Sequence, residues 1–275
     1  MSCYRIGFIG VGNMASAMIG GMTSVGGVRW EDLRLFDIMS DKTSAFANNG
    51  ALVCGSIKEL YDSSDCVVLS VKPQNFPEIL SELSKATLDG RRVLFITIAA
   101  GITSDTVSDS LGGCVPVVRA LPNTPMLIGK GVSALCKNES VTDEEFELAC
   151  GFFSASGEVI KIDESDMNRI ICVTSSAPAY VFKFIKAICD GAAAQGLDAN
   201  ALKSSVCAMI SGAAEMLSKS ELSPEQLISM VCSKGGTTER AVAELDRYSF
   251  EDGIISAMQK CTDRADELSG INTKK

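Results

Sequence analysis

Two short glycine-containing stretches have the composition of anion-binding loops. One is GVGNMA at residues 10–15, which follows the strand-like YRIGFI and opens the helix-like MASAMIGGM. The other is SKGGTTERAV at residues 233–242, where two glycines and two threonines precede a helix-like run. Backbone N–H groups at the start of a helix point towards a bound anion, and the helix dipole favours negative charge there. The sequence therefore predicts two anion sites.

The first stretch has the pattern GxGxxA in the strand–turn–helix context that is typical of dinucleotide binding. Gly10 permits a tight turn, Gly12 lets the backbone approach a pyrophosphate, and Ala15 allows the helix to pack closely on the strand. The pattern predicts NAD(P)H as the cofactor. The alternative is that the glycines only form a tight turn.

Asp37 ends the second strand-like stretch, LRLFD, 22 residues after Ala15. A carboxylate at this place accepts hydrogen bonds from ribose hydroxyls and repels a 2′-phosphate. We therefore expect NADH to be slightly favoured over NADPH. Two alternatives stay open, because Lys42 could pair with a phosphate and because a surface aspartate is common at a strand end.

Three further loops follow strand-like stretches, and open α/β sheets bind ligands at the carboxyl ends of their strands. Residues 70–73 are SVKP and residues 99–101 are AAG, so a proline or a glycine turns the chain away where a cofactor would lie. The small residues at 99–101 leave room for nicotinamide and ribose. Lys72 is either a cofactor contact or a solvent-exposed helix cap. Asn123, in PNTP, is a candidate cofactor contact unless that loop is simply rigid.

As far as about Ile162, short apolar stretches alternate with amphipathic ones, which predicts βαβ units and a parallel sheet. Helical periodicity is found between the strands, for example at residues 14–22, 41–48 and 143–154. The predicted strands are residues 5–9, 33–36, 66–71, 93–98, 115–119, 132–135 and 158–162.

After Asp163 the apolar residues fall at the three-and-four spacing of helix faces, so this part is predicted to be helical. Breaks are expected at Gly196, at residues 223–224 and at residues 234–236. Small residues on the remaining faces indicate helices that are covered on more than one side. Burial against a partner subunit explains this pattern, and one compact bundle is the alternative.

Composition excludes several classes of function. The 275 residues include 25 Lys plus Arg and 34 Asp plus Glu, a formal charge of −9, so nucleic acid is not an expected partner. The sequence has no histidine, which removes Ser-His-Asp, Cys-His and His-metal chemistry, and we expect no metal site.

The eleven cysteines form no CxxC pair. Several of them, such as Cys66, Cys172, Cys189 and Cys207, lie at apolar positions, so buried free thiols are expected. No apolar run approaches the roughly 20 residues that a membrane span needs. The N-terminal residues lack the features of a secretion signal, and we expect a cytoplasmic protein.

Six stretches, in order along nearly the whole chain, resemble landmarks of the Δ1-pyrroline-5-carboxylate reductase family. They are FIGVGNMASAMIGG, SVKPQNF, TIAAGITSDT, VVRALPNTPMLIGKG, SAPAYVF and VCSKGGTTERAVAEL. The resemblance implies an α/β Rossmann-type dinucleotide-binding domain, residues 1–163, followed by an all-α domain, residues 164–275, that binds substrate and dimerises. It also implies a homodimer or a larger homo-oligomer such as a decamer.

The resemblance implies the last step of proline biosynthesis, in which NAD(P)H reduces the cyclic imine 1-pyrroline-5-carboxylate to L-proline. The imine nitrogen is already largely protonated near neutral pH, so hydride adds to carbon without a strong general acid. This chemistry suits a chain without histidine, because catalysis is then mainly positioning and charge placement.

The same resemblance implies roles for particular residues. The pyrophosphate is held by Gly10, Gly12, Asn13 and Met14, and the cofactor groove is lined by Val71, Lys72, Pro73 and Ala99. Ser176 lies beside the substrate. The substrate carboxylate is held by Ser233, Gly235, Gly236, Thr237 and Thr238, with the Thr238 hydroxyl close to the ring nitrogen. Thr238 and Ser176 are therefore the implied catalytic residues.

Some positions depart from the usual residues of the family. Lys234 replaces a proline, which removes a fixed φ and adds a cation that either strengthens the hold on a carboxylate or points to solvent. Ser175 and Ala177 replace two glycines and narrow the pocket slightly. Ile57 replaces an asparagine near the adenosine end and, with Asp37, weighs against the family's usual preference for NADPH.

Other functions stay open. One is a related imine reductase or a β-hydroxyacid-dehydrogenase-like enzyme, the latter needing an acid–base residue such as Lys183 or Lys186 on the first long helix of the second domain. Another is a non-catalytic NAD(P)-sensing protein, which would have no need for the second anion loop.

Overall fold

One sheet organises the N-terminal part of the chain in this computed structural model, which describes residues 4–25, 27–87 and 90–270. Its strands are β1 (Ile6–Ile9), β2 (Leu33–Phe36), β3 (Leu52–Val53), β4 (Cys66–Leu69), β5 (Leu94–Thr97), β6 (Val117–Leu121), β7 (Gly131–Lys137) and β8 (Gly157–Lys161). They lie in the order β3-β2-β1-β4-β5-β6-β7-β8. The seven predicted strands are confirmed, with ends that differ by at most two residues.

Helices connect the strands and make up most of the rest of the chain. They are α1 (Asn13–Ser24), α2 (Asp41–Ala47), α3 (Ile57–Asp62), α4 (Phe76–Ala86), α5 (Ser104–Ser110), α6 (Asp143–Ser154), α7 (Met167–Ile170), α8 (Ala177–Ala194), α9 (Ala199–Ser218), α10 (Pro224–Val231), α11 (Thr237–Arg247) and α12 (Phe250–Leu268). The breaks predicted at Gly196, at residues 223–224 and at residues 234–236 all fall between helices and are confirmed.

The core lies on both faces of the sheet. In β4, Cys66 and Val68 join one buried cluster, whereas Val67 and Leu69 join another. Successive side chains of a strand point to opposite faces, so an uninterrupted apolar stretch such as CVVL is suited to a strand with helices on both sides.

The prediction of a parallel sheet is wrong at one pair of strands. Val118 pairs with Lys137 and Leu121 pairs with Ala134, so β7 runs antiparallel to β6, while the other pairs are parallel. Residues 122–130, which join β6 to β7, contain the 3-10 turn Thr124–Ile128. A parallel connection needs a crossover of about a dozen or more residues. The short loop therefore returns the chain in the opposite direction.

The chain divides into two compact units. The first contains the described residues up to Pro178 together with residues 261–270, and the second is Ala179–Lys260. The boundary predicted between residues 163 and 164 divides the chain by function and stays a prediction.

The helices of the second unit have no buried core of their own. Within the described residues, α8, α9, α10 and α11 contain no buried side chain. Large apolar side chains are instead exposed in the single chain, among them Phe182, Phe184, Met209, Met216 and Met230. The compact-bundle alternative therefore does not describe the single chain.

The cysteines that the structure describes are free thiols, and Cys3 lies outside the described residues. Cys66 and Cys172 are buried as predicted, whereas Cys189 is half-buried and Cys207 is exposed. These last two cysteines lie on α8 and α9, so their apolar sequence context indicated a covered surface that the single chain does not provide.

Candidate active site

The predicted cofactor residues lie at one edge of the sheet. They follow the carboxyl ends of five adjacent strands, with Asp37 after β2, residues 10–14 after β1, residues 71–73 after β4, Ala99 after β5 and Asn123 after β6. The carboxyl edge where the strand order reverses is the place where doubly wound sheets bind ligands. The structure therefore brings together the residues that the sequence assigned to the cofactor.

The turn between β1 and α1 requires glycine at position 10. Gly10 has a φ of +89°, and a Cβ there would lie 2.9 Å from the carbonyl oxygen of Ser70. Its N–H donates to the carbonyl oxygen of Phe36 at 2.8 Å, while the Ser70 hydroxyl donates to the Gly10 carbonyl oxygen at 2.6 Å. Gly12, in contrast, would have no atom within 4 Å of an added Cβ. Its backbone is therefore open to a close approach by a diphosphate, and α1 starts directly after it.

Asp37 is tied to the glycine turn. Its Oδ2 accepts the Val11 N–H at 2.7 Å and its Oδ1 accepts the Met39 N–H at 2.9 Å. The side chain is 7% exposed, and Lys42 Nζ lies 3.9 Å from Oδ2. An ionised carboxylate has about four acceptor positions, so this one can still accept from a ribose hydroxyl. The hydrogen bond from Val11 gives Asp37 a structural role in the glycine turn, which the sequence did not reveal.

The other residues predicted to line the cofactor groove differ in exposure and in hydrogen bonding. Ala99 is buried and Lys72 is exposed at the start of the 3-10 turn Pro73–Asn75, without a side-chain capping bond. Asn123 is buried, its Nδ2 donates to the Thr174 carbonyl oxygen at 3.1 Å, and its Oδ1 accepts the Val132 N–H at 2.9 Å. Asn123 therefore fixes the loop after β6 with both polar ends of its side chain.

An ionic cluster surrounds the buried side chain of Arg119. Arg119 on β6 is 1% exposed; it donates to Glu164 Oε1 and to Asn168 Oδ1, both at 2.9 Å. Glu164 Oε2 also accepts from the Ser104 hydroxyl at 2.9 Å and from the Cys136 thiol at 3.0 Å. This cluster was not predicted from the sequence, although a charged residue in the middle of the apolar stretch VVRAL was a signal for it.

The cluster shifts the pKa of two of its members. Burial alone would raise the pKa of Glu164, but hydrogen bonds from Cys136 and Arg119 outweigh it and hold the pKa below its ordinary value. Burial, with a smaller contribution from Glu164, raises the pKa of the Cys136 thiol far above its ordinary value. Cys136 is therefore a neutral hydrogen-bond donor. Only the thiolate form of a cysteine is nucleophilic, so this thiol is not poised to react.

Ser176 belongs to the first unit, just before the part of α8 that passes into the second. Its N–H donates to the Ile171 carbonyl oxygen at 2.9 Å, and its hydroxyl accepts from the Cys261 thiol at 3.2 Å. Because the thiol is the donor in this pair, the Ser176 hydroxyl keeps its own proton to donate. Within the described residues, the neighbouring Ser175 hydroxyl is buried without a hydrogen-bond partner.

The second anion loop lies in the second unit as a turn at the start of α11. Gly236 N–H donates to the Ser233 carbonyl oxygen at 2.8 Å, and Gly235 has a φ of +73°. Thr237 and Thr238 are the first two residues of α11. Gly235 N–H donates to Glu239 Oε2 at 2.7 Å. Sequence analysis did not single out Glu239, although a glutamate at the third position of a helix is a known capping signal.

Three further residues that the sequence analysis considered lie either on an exposed helix surface or in the core. Lys183 and Lys186 are exposed on α8, and Lys186 pairs with Asp190 at 2.6 Å. Ile57, the first residue of α3, is 1% exposed and packs in the core.

Neither a membrane-spanning helix nor a metal-binding cluster is found within the described residues. No helix in residues 4–25, 27–87 or 90–270 is long and apolar enough to cross a membrane. In the same residues, no group of three or more cysteines, aspartates and glutamates is placed so that it could hold a metal ion.

The sheet order, the glycine turn and the acidic residue after β2 define a Rossmann-type dinucleotide-binding protein. Comparison with known families agrees with this class. Residues 5–101 match the family "NADP oxidoreductase coenzyme F420-dependent", and residues 164–268 match the family "Pyrroline-5-carboxylate reductase dimerisation".

Similar proteins extend over the whole chain. The chain is 35% identical over 267 residues to a pyrroline-5-carboxylate reductase of Escherichia coli, covering 96% of this chain and 98% of that protein. A solved pyrroline-5-carboxylate reductase of Coxiella burnetii is 31% identical, with a TM-score of 0.88 and coverage of 98% and 99%. The Plasmodium falciparum enzyme, solved with NADP bound, is 26% identical, with a TM-score of 0.89 and the same coverage. The chain belongs to the pyrroline-5-carboxylate reductase family.

Proposed function

We propose that this chain reduces 1-pyrroline-5-carboxylate to L-proline with NAD(P)H, the last step of proline biosynthesis. The observation that carries the proposal is the presence of two separate anion loops in a chain with 35% identity to a pyrroline-5-carboxylate reductase. The turn before α1 suits the diphosphate of a dinucleotide, which leaves the turn before α11 for a smaller anion. A single carboxylate on a flat cyclic imine fits that second loop.

The residues at the carboxyl ends of the strands suit a dinucleotide. The space above Gly12 admits the diphosphate to the start of α1, and the buried small residue Ala99 leaves room beside the nicotinamide end. We place Gly10, Gly12, Asn13 and Met14 at the diphosphate. When bound, NAD(P)H supplies the hydride.

The chain's part in the reaction is to bind and orient the imine. The loop at residues 233–238 binds the substrate carboxylate, and the Thr238 hydroxyl lies next to the ring nitrogen. The role of Ser176 beside the substrate stays a prediction. Because the nitrogen already carries a proton as an iminium, no strong general acid is required, and the chain contains no histidine to act as one. Fixed dipoles that face the reacting atoms then lower the barrier.

We also propose a slight preference for NADH. The Asp37 carboxylate is held at the end of β2 by two backbone N–H groups, so it faces the adenosine ribose as a fixed negative charge. A 2′-phosphate would be repelled there, although Lys42, 3.9 Å from Asp37, reduces the repulsion. For this reason the expected preference is small.

The second unit supports the proposal of a homodimer, or of a larger homo-oligomer such as a decamer. Helices α8 to α11 expose large apolar side chains and bury none among the described residues, and residues 164–268 match a dimerisation family. A cytoplasmic location stays a prediction.

The test is oxidation of NADH and of NADPH, followed at about 340 nm, with pyrroline-5-carboxylate and the purified protein. We expect turnover with both cofactors and formation of L-proline in equal amount to the cofactor consumed. An absence of turnover with either cofactor, in protein that is folded and binds dinucleotide, would contradict the proposed function and favour the sensor alternative.

A further inference from the structure

The turn at residues 233–236 is closed by its own backbone. Gly236 N–H donates to the Ser233 carbonyl oxygen at 2.8 Å, which is the hydrogen bond of a four-residue turn. A Cβ at Gly236 would lie 2.8 Å from the Ser233 carbonyl oxygen, and the positive φ of Gly235 disfavours any other residue there. The turn therefore needs glycine at both positions, and the Gly236 N–H is already used.

The backbone N–H of Gly235 donates to the side chain of Glu239. Glu239, the third residue of α11, reaches back so that its Oε2 accepts the Gly235 N–H at 2.7 Å. This resembles a capping box, in which a glutamate at the third helical position accepts from backbone that precedes the helix. By accepting the Gly235 N–H, Glu239 holds the turn in this form.

The backbone N–H groups at the start of α11 remain available to a ligand. The N–H groups of Thr237 and Thr238 are among the first four of α11, which have no partner inside the helix. Each of these residues also carries a hydroxyl. Since α11 is 11 residues long, its dipole favours a negative charge at this end. A substrate carboxylate is therefore best placed at Thr237 and Thr238, and not at the two glycines.

We propose that Glu239 is a positioning residue of the reductase. By holding the Gly235 N–H, it keeps the turn in the form that presents Thr237 and Thr238 to the substrate carboxylate. The inference rests on the proposed function. Gly235 and Gly236 then shape the turn, and the two threonines bind.

The useful property of Glu239 is its acceptor oxygen and not its charge. A second carboxylate next to the substrate carboxylate is repulsive in itself. Lys234, exposed in the same turn, places a positive charge that offsets it. Glutamine at position 239 keeps an acceptor and removes the charge, whereas alanine removes both, so the two variants separate the properties.

The kinetic test compares wild type, Glu239→Ala, Glu239→Gln and the control Glu244→Ala at saturating NAD(P)H. Glu244 lies on the same helix and pairs with Arg247 at 2.6 Å, away from the turn. For Glu239→Ala we expect the KM for pyrroline-5-carboxylate to rise about tenfold, the scale of one lost hydrogen bond, with kcat changed less than about twofold. For Glu239→Gln we expect a KM equal to or below that of wild type. The control and every KM for the dinucleotide should be unchanged.

Hydrogen–deuterium exchange tests the positioning step without relying on turnover. In the wild-type protein and Glu239→Gln, the peptide that contains residues 233–238 should exchange slowly, and in Glu239→Ala it should exchange about tenfold faster. An unchanged KM in Glu239→Ala, or equal losses in Glu239→Ala and Glu239→Gln, would overturn the inference while the proposed function stands. If the wild-type protein shows no turnover, the proposed function is contradicted. Hydrogen–deuterium exchange still tests the positioning role in that case, because equal exchange of residues 233–238 in all variants would overturn it.

Discussion

Thr238 is the residue on which the proposed chemistry depends most directly. It lies at the second position of α11, where its N–H is available to a ligand and its hydroxyl can reach the ring nitrogen. We expect Thr238→Ala to lower kcat/KM for pyrroline-5-carboxylate by at least about tenfold, the effect of losing one hydrogen bond in the transition state. Thr238→Ser keeps the hydroxyl and should stay within about threefold of wild type. An unaffected Thr238→Ala variant would remove the role of this hydroxyl but not the proposed function.

Asp37 is the residue that sets the proposed cofactor preference. Asn at this position keeps an oxygen for the Val11 N–H but removes the negative charge that faces the ribose. We expect Asp37→Asn to shift the ratio of the NADPH to NADH dissociation constants by about three- to tenfold towards NADPH, the scale of one partly screened charge. The measurement is fluorescence titration of both cofactors. Asp41→Asn, the same change at an exposed residue at the start of α2, should leave the ratio unchanged. Tighter binding of NADPH by the wild-type protein would contradict the proposed preference.

The sequence predicted these residues unequally well. Gly10, Gly12 and Asp37 could be placed at the ends of β1 and β2 from the sequence, because their spacing relative to a strand is a property of the chain itself. The bond from Val11 to Asp37 and the bond from Gly235 to Glu239 were not found, because they depend on how a loop folds back. The cofactor contact of Asn123 stays a prediction. The two hydrogen bonds by which its side chain fixes the loop were not predictable, because they depend on the path of distant segments.

At the scale of the elements, the ionic cluster of Arg119 and Glu164 joins β6 to the segment before α7. Glu164 has a folded-state pKa below its value in the unfolded chain, so its pairing stabilises the fold above about pH 4.5 and is lost as the pH falls through the folded-state pKa. We expect Glu164→Gln to lower the free energy of unfolding by about 2 kcal/mol at pH 7, because Arg119 remains buried without its charge partner.

The difference between Glu164→Gln and wild type should shrink as the pH is lowered from 5 towards 3, since wild-type Glu164 is then protonated as well. Urea unfolding at several pH values is the measurement. Glu82→Gln, an exposed change on α4, serves as the control and should follow wild type at every pH. A constant difference between Glu164→Gln and wild type across this range would show that the ion pair does not link stability to pH.

Elements were predictable where periodicity carried the signal. The seven longer strands and the long helices repeat apolar residues at spacings that no loop shares, so they were recognised. β3 was missed because two residues at the edge of a sheet, both exposed, carry no pattern. The direction of β7 was missed because alternation is the same for parallel and antiparallel strands. Only the shortness of the loop before it distinguishes them.

At the scale of the whole molecule, the second unit is incomplete as a single chain. Helices α8 to α11 bury no side chain within the described residues, yet folding pays a large entropy cost that apolar burial has to offset. Apolar patches of this extent mark an interaction surface in a protein that is not a monomer. The sequence indicated this through apolar and small residues on more than one helix face, but it could not give the number of subunits.

If subunits complete this core, folding and association are one process. We expect light scattering to show a dimer or a larger assembly, and we expect the thermal midpoint to rise with protein concentration, because a subunit that binds only the folded form stabilises it by mass action. Met209→Glu, at a side chain on α9 that is 52% exposed, should shift the population towards monomer and lower the midpoint. The control Ser81→Glu, on the exposed face of α4, should do neither. A wild-type protein that is monomeric, with a midpoint independent of concentration, would contradict the proposed oligomer. It would also mean that the exposed helices are stabilised by some contact other than a second copy of the chain.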